Sequence, residues 1–367
     1  MGAAIDVDRE QVLAYRVGAH QFDRTVRLAS QLAVLDLGVA DTPPGSARQA
    51  LAARLPEPPG PDDGLVTVWG ARGAPFLHRA DELAGLAAAL LPRDEADAKA
   101  RLGASSARIP GGQLEAVLAT ASALHDIVTA PQSKGEASTA LTARLPHLAT
   151  YCRGCQVDHV SEQLVRIAGL LGGVRIEPGS TPLVLAPIDG WAQPSAAAGL
   201  AQPTRAYLRL HGPATTSEVA AYFAADKGAI ADTWPDDLVE VRVAGRGGYW
   251  IPAEQESALR SPAPPEFVRL LPPSDPYLQT RNRNLLVPER AEQKALWRPL
   301  GNPGAILAEG EIVGAWRAKV SGPSHSRRGL TVTVEAFGPL PPPVLASIED
   351  EARVVAAVRG ASDVRIA

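Results

Sequence analysis

Asp41 is the only acid in a run of small and apolar residues, Leu37-Gly38-Val39-Ala40-Asp41-Thr42-Pro43-Pro44-Gly45-Ser46-Ala47. A carboxylate among residues with little side chain can approach a ligand together with its own backbone. The chemistry open to it is to hold or activate a water. Two prolines fix φ and Gly45 permits positive φ, so the stretch predicts a turn of defined shape. Ser46 is placed to cap the helix that follows. As a plain corner between helices the same stretch needs Asp41 only as a cap, and pattern alone favours that plainer reading.

A second cluster is Cys152-Arg153-Gly154-Cys155 with His159, a CxxCxxxH spacing. It offers three zinc ligands, whereas a structural zinc site wants four; His147 and His125 are candidates for the fourth. A CxxC pair also suits redox work, but no thioredoxin-like βαβ unit surrounds it. The favoured expectation is two structural thiols, no metal and no cofactor.

Cations recur where a nucleic acid could meet turns and wings. Lys134 lies in Ser133-Lys134-Gly135-Glu136, whose Ser and Glu are spaced as a capping box. Arg246 lies in Ala244-Gly245-Arg246-Gly247. The richest patch is Arg317-Ala318-Lys319 followed by the Ser/Gly-rich loop 321–329, which contains Arg327 and Arg328. A basic hairpin tip suits phosphates or a groove, and a solvated loop is the competing reading. Asp275-Pro276-Tyr277, with Arg281 and Arg283 beyond it, reads as a turn with a structural acid–base pair. The chain carries no P-loop, no GxGxxG after a strand, no GxSxG and no HExxH. Nucleotide-cofactor chemistry and a serine-hydrolase elbow therefore have no sequence support.

These residues need elements to position them. Residues 8–35 read as helical, with Asp8 as N-cap, followed by the connector and a helix over 46–54. Strands at 65–69 and 75–78 follow, then a helix over 80–91. Helix, loop, helix and hairpin is the order of a winged helix. The order recurs with helices at 112–129, 136–144 and 161–171 and strands at 174–176 and 182–185. It recurs again with helices at 205–211 and 217–225 and a hairpin over 238–251. Beyond the Pro-rich break at 262–265, short strands at 268–271, 285–287, 304–307, 312–316 and 330–334 predict a small β-barrel or curled sheet, closed by a helix over 349–358. The expected division is an α+β chain: winged helix 1 over 1–95, winged helix 2 over 96–200, winged helix 3 over 201–262, and a barrel over 263–367.

Length allows several units with ample core. The net charge of −4 gives no bulk basicity, although a binding face needs only local charge. Two cysteines make a disulfide scaffold unlikely as a design. With no signal-peptide pattern and no run of about 18 apolar residues, the expectation is a cytoplasmic monomer.

Taken in order, several segments resemble the AlkZ/YcaQ-like winged-helix DNA glycosylases. They are Leu35-Asp36-Leu37-Gly38-Val39 running into Asp41-Thr42-Pro43-Pro44-Gly45-Ser46-Ala47, then Ser133-Lys134-Gly135-Glu136, then Tyr151-Cys152-Arg153-Gly154-Cys155 with His159-Val160. Asp275-Pro276-Tyr277, Leu296-Trp297-Arg298-Pro299, Gly301-Asn302-Pro303-Gly304 and Gly314-Ala315-Trp316-Arg317 follow. The resemblance implies tandem winged helices plus a β-barrel on a concave, C-shaped scaffold for double-stranded DNA. It also implies monofunctional removal of N7-alkylated purines or unhooking of interstrand crosslinks, self-resistance to a genotoxic natural product being one setting. The family's catalytic motif is Gln, an apolar residue, then Gln or Asp. Its counterpart here falls within Gly38 to Asp41. If it begins at Gly38, the polar positions are Gly38 and Ala40 and both amides are lost. If it ends at Asp41, the acid survives and the Gln is replaced. The departure at Ala40 predicts impaired turnover, and it keeps a second reading open: a catalytically silent DNA- or lesion-binding protein on the same scaffold. The resemblance implies no cofactor. Lys134, Arg246, Arg317, Lys319, Arg327 and Arg328 are the expected DNA contacts.

Overall fold

The computed structural model describes residues 4–60, 63–322 and 328–367. The chain forms two compact units, one of Met1–Asp63, Arg205–Glu218 and Asp236–Ala367, the other of Gly64–Thr204 and Val219–Pro235. Helices and strands are mixed in both, giving an α+β fold. Among the described residues no helix is long and apolar enough to cross a membrane.

In the first unit the helix Arg9–Ala19 begins at an Asp8 capping box. The Asp8 carboxylate accepts from Gln11 N at 2.8 Å and the Gln11 amide oxygen accepts from Asp8 N at 3.0 Å. The helix buries Val12, Leu13, Tyr15, Arg16 and Val17. The Arg16 guanidinium donates to Gly212 O and Pro213 O at 3.0 and 3.3 Å, tying the helix to a distant turn. The expected helix over 8–35 stops at Ala19, because Gln21 and Arg24 adopt positive φ. Only two short 3-10 turns, Ala29–Gln31 and Ala33–Asp36, follow before the connector.

The C-terminal strands form an open five-stranded sheet in the order Val268–Leu271, Gly304–Ala308, Glu311–Ser321, Gly329–Ala336, Asp363–Ile366. The first four run antiparallel and the last is parallel to its neighbour. Side chains alternate between faces, apart from one register shift at Ile306/Leu307. Leu270, Ile306, Trp316 and Val332 pack under the helix Pro342–Val358 with Ile348 and Val355, while Leu271, Ala305 and Leu307 face a second core with Leu13, Phe22 and Tyr277. Gly304 admits the indole of Trp316, whose Nε1 donates to Leu271 O at 2.8 Å; a Cβ there would lie 2.3 Å from both atoms. The segment 285–287, expected as a strand, is the end of a one-turn helix, Arg283–Leu286. It has no strand partner, and Leu286 is buried against the second core instead.

The second unit is built on the strands Leu65–Trp69, Pro75–Arg79, Val174–Ile176, Val184–Pro187 and Gln132–Ser133, packed against the helices Gln113–Ile127 and Glu162–Gly169. The capping box is present as expected: Ser133 Oγ accepts from Glu136 N at 3.2 Å and Glu136 accepts from Ser133 N at 2.9 Å. A separate hairpin, Ala149–Cys152 with Val157–Val160, joins this core at Val160, with Tyr151 and Val157 exposed toward its turn.

Candidate functional site

The connector after Leu37 is held from below by buried polar anchors of the first unit. Its helix, Ser46–Ala52, runs on to Arg54, whose guanidinium meets the Asp275 carboxylate in two parallel bonds of 2.8 and 2.9 Å. Both side chains are fully buried. Arg54 also donates to Ala50 O and His20 O, and Asp275 accepts from Tyr277 N, so every polar edge of the pair is occupied. The structural acid–base pair expected at Asp275 exists, but its base is Arg54 rather than Arg281 or Arg283. Arg283 instead lies over the Trp297 ring at 4.8 Å. Nothing in local spacing reveals a partner 221 residues away. Arg269 adds a second anchor, donating to Phe22 O and Ala53 O.

On this base the connector is tightly determined. Gly38, Val39 and Ala40 are buried, with Ala40 only 4% exposed. Thr42-Pro43 is a cis bond and Gly45 sits at φ +86°. Ser46 does not cap the helix. Gly45 occupies the cap position, Ser46 is the first helical residue, and its hydroxyl donates to Ala40 O at 3.2 Å. The cap is supplied by Asp41, whose Oδ1 accepts from Ala47 N at 3.0 Å. Asp41 is half-buried, and burial pushes its carboxyl above the ordinary aspartate value. The Ala47 and Gly45 N–H groups and the Arg48 charge pull weakly the other way. An acid at a loop surface whose charged form is disfavoured by desolvation is the state expected of a general base.

The cations fall into distinct settings. Arg317 and Lys319 stand on the exposed face of the sheet, two residues apart on one strand. Thr333 and Thr331 lie opposite them, and Arg365 is the next neighbour of Thr331. Arg317 also donates to Gly301 O at 2.7 Å. The face is thus Arg317, Lys319 and Arg365 interleaved with hydroxyls. Arg365 escaped the sequence reading because its place depends on a parallel pairing of the chain's last strand. Arg328 is half-buried, and its carbonyl accepts from Ser362 N. Arg327 lies outside the described residues. Arg246 is exposed at the start of the strand Arg246–Pro252. In the second unit Lys134 is engaged by Glu162, with Nζ 2.8 Å from both carboxylate oxygens, and Arg166 shares that acid at 2.6 Å. The structure therefore groups Arg317 and Lys319 and leaves Lys134 already neutralised.

The Cys152, Cys155 and His159 ligand atoms lie within 4.8 Å of one another. Both cysteines are free. Hydrogen bonds from the Cys155 and Gly154 backbone bring the Cys152 thiol down to about 7.

A family model described as DNA glycosylase AlkZ-like matches residues 29–358. No curated protein matches the sequence. Among solved structures, the DNA glycosylase AlkZ of Streptomyces sahachiroi is similar to this chain, with a TM-score of 0.74 and 21% identity over 99% of this chain and 100% of that one. At that identity the likeness shows a shared fold.

Proposed function

The chain belongs to the AlkZ-like DNA glycosylase family, and we propose that it hydrolyses the N-glycosidic bond of N7-alkylated purines or crosslinks in double-stranded DNA, with Asp41 as the group that holds and activates the water. Alkylation at N7 leaves the purine cationic, so it departs without being protonated. The protein then has to stabilise an oxocarbenium-like sugar and deliver a water to it, which is glycoside hydrolysis without the general acid. One observation carries the reading. Asp41 is the acid of the connector, held at Oδ1 by a helix N-terminal N–H, half-exposed and raised by burial. In this reading Gly38 and Ala40 shape the floor of the site, and the exposed face of Arg317 and Lys319, with Arg246, Arg327 and Arg328, meets phosphates. The tandem winged helices, the four-part division of the chain and a monomeric state belong to the same proposal.

A second reading, a silent lesion-binding protein, is favoured by the missing amides at Gly38 and Ala40. Gly38 has φ +76°, a conformation a Gln rarely adopts, so Ala40 is the position at which to restore an amide. The test is release of free base from duplex DNA carrying N7-methylguanine, for the chain as it stands and for Ala40→Gln. Base release leaving an abasic site supports the enzyme. Lesion binding without base release by either protein, both folded, supports the silent binder.

A further inference from the structure

The hairpin Ala149–Cys152 with Val157–Val160 has only four residue pairs and forms a sheet of its own. Its Tyr151 and Val157 side chains are more than half exposed. A two-stranded ribbon with so little buried surface is marginal by itself. We propose that it is stapled by a zinc ion bound to Cys152 Sγ, Cys155 Sγ and His159 Nε2, with water in the fourth position.

Three features of the turn point to a metal rather than to two idle thiols. First, the three ligand atoms lie within 4.8 Å of one another with no ion present, a short contraction away from tetrahedral coordination. Second, the backbone is wound as a metal-binding knuckle. Gln156 takes φ +58° and its N–H donates to Cys152 O at 2.7 Å, closing a tight turn between the two cysteines. Third, His159 is pre-set as a ligand. Its Nδ1 is 2.7 Å from Val160 O and so carries the proton, which leaves Nε2 bare. That buried Nε2 has no hydrogen-bond partner. A backbone carbonyl fixing the far nitrogen is the usual outer support of a zinc histidine. A disulfide would use neither His159 nor its fixed tautomer. Among the described residues no fourth histidine, cysteine or acid joins the group, so His125 and His147 are not ligands. Binding releases the thiol protons to solvent and leaves the metal's oxidation state unchanged.

The test is metal analysis of full-length protein purified under reducing conditions without chelator, followed by exchange into cobalt(II). The expected result is about one zinc per chain and, with cobalt, a thiolate-to-metal charge-transfer band. Cys155→Ser and His159→Gln should each weaken cobalt binding on the order of 10–100-fold or more. Stripping the zinc should increase alkylation of both thiols by a maleimide. A reduced wild-type chain that takes up neither zinc nor cobalt overturns the proposal. So do variants that bind cobalt as tightly as the wild type, and so does recovery of Cys152 and Cys155 as a disulfide with no metal taken up after reduction.

Discussion

Replacing Asp41 by Asn separates its charge from its place in the fold. The Asn amide oxygen can still accept from Ala47 N, now at 3.0 Å from Oδ1, so the helix end stays satisfied. What is lost is the negative charge. Removing one group that acts on the developing transition state costs about 10²–10³ in rate, or ~2.7–4 kcal/mol. Stability should move the other way. Burial raises the Asp41 carboxyl in the folded chain, so the fold binds that proton more tightly than the unfolded chain does. The stability Asp41 contributes is full below its unfolded value and is lost as pH rises through its raised folded value. At neutral pH the ionised carboxylate is therefore a burden, and Asp41→Asn should melt no lower than the wild type. Asp41→Ala removes the acceptor as well and should cost about 1 kcal/mol. The assay is single-turnover release of N7-methylguanine from duplex DNA, over a pH series that stops where the lesion depurinates unaided. The wild-type rate should fall as pH drops through the raised carboxyl value, and that dependence should be absent in Asp41→Asn. An Asn variant with the wild-type rate, or with an unchanged pH profile, refutes the role given to Asp41.

Other residues give sharper tests of scaffold and interface. Asp275→Asn leaves Arg54 charged and buried without its acid, and should cost about 3–5 kcal/mol in urea unfolding; the double variant Arg54→Met with Asp275→Leu should recover most of that loss. Gly304→Ala sets a methyl 2.3 Å from both Leu271 O and the Trp316 indole nitrogen, and should cost about 1–3 kcal/mol. Replacing Arg317 and Lys319 together by Ser should lower DNA affinity for all sequences and reduce the salt slope by about 2. Lys134→Ser should change that slope little, since Glu162 already engages Lys134; an equal effect would place Lys134 on the DNA.

What the sequence showed and what it hid divide along physical lines. Local signals were readable: the Ser133–Glu136 box and the connector with its two prolines lie where spacing placed them, whereas the strand expected over 312–316 runs on to Ser321 and so carries Arg317 and Lys319, which local spacing places in the basic stretch beyond it. Signals that depend on distant pairing were not. Asp275 was correctly read as half of an ion pair and given the wrong partner, because Arg281 and Arg283 are near in sequence while Arg54 is near in space. Ser46 looked like the cap because Ser is a good cap. The positive φ of Gly45 turns the chain so that Asp41 reaches the helix end instead.

That substitution of one cap for another bears on how this site can work with so few polar groups. An acid recruited as a cap is held by the fold whether or not substrate is present, so its position costs nothing at the moment of reaction. If the family's motif begins at Gly38, the positions of its two amides are Gly38 and Ala40, here buried backbone with no polar side chain. In the proposed reading a water held at the site is oriented by Asp41, since neither Gly38 nor Ala40 has a polar side chain to share the task. A site of that kind can still hydrolyse a bond whose leaving group is already cationic. Neither Gly38 nor Ala40 supplies a side chain with which to protonate a neutral base. Activity confined to charged, ring-nitrogen-alkylated lesions such as N7-alkylpurines, with none on neutral O6-alkylated bases of similar bulk, is therefore the selectivity this arrangement demands. Comparable release of both kinds of base would show that a proton donor acts at the site.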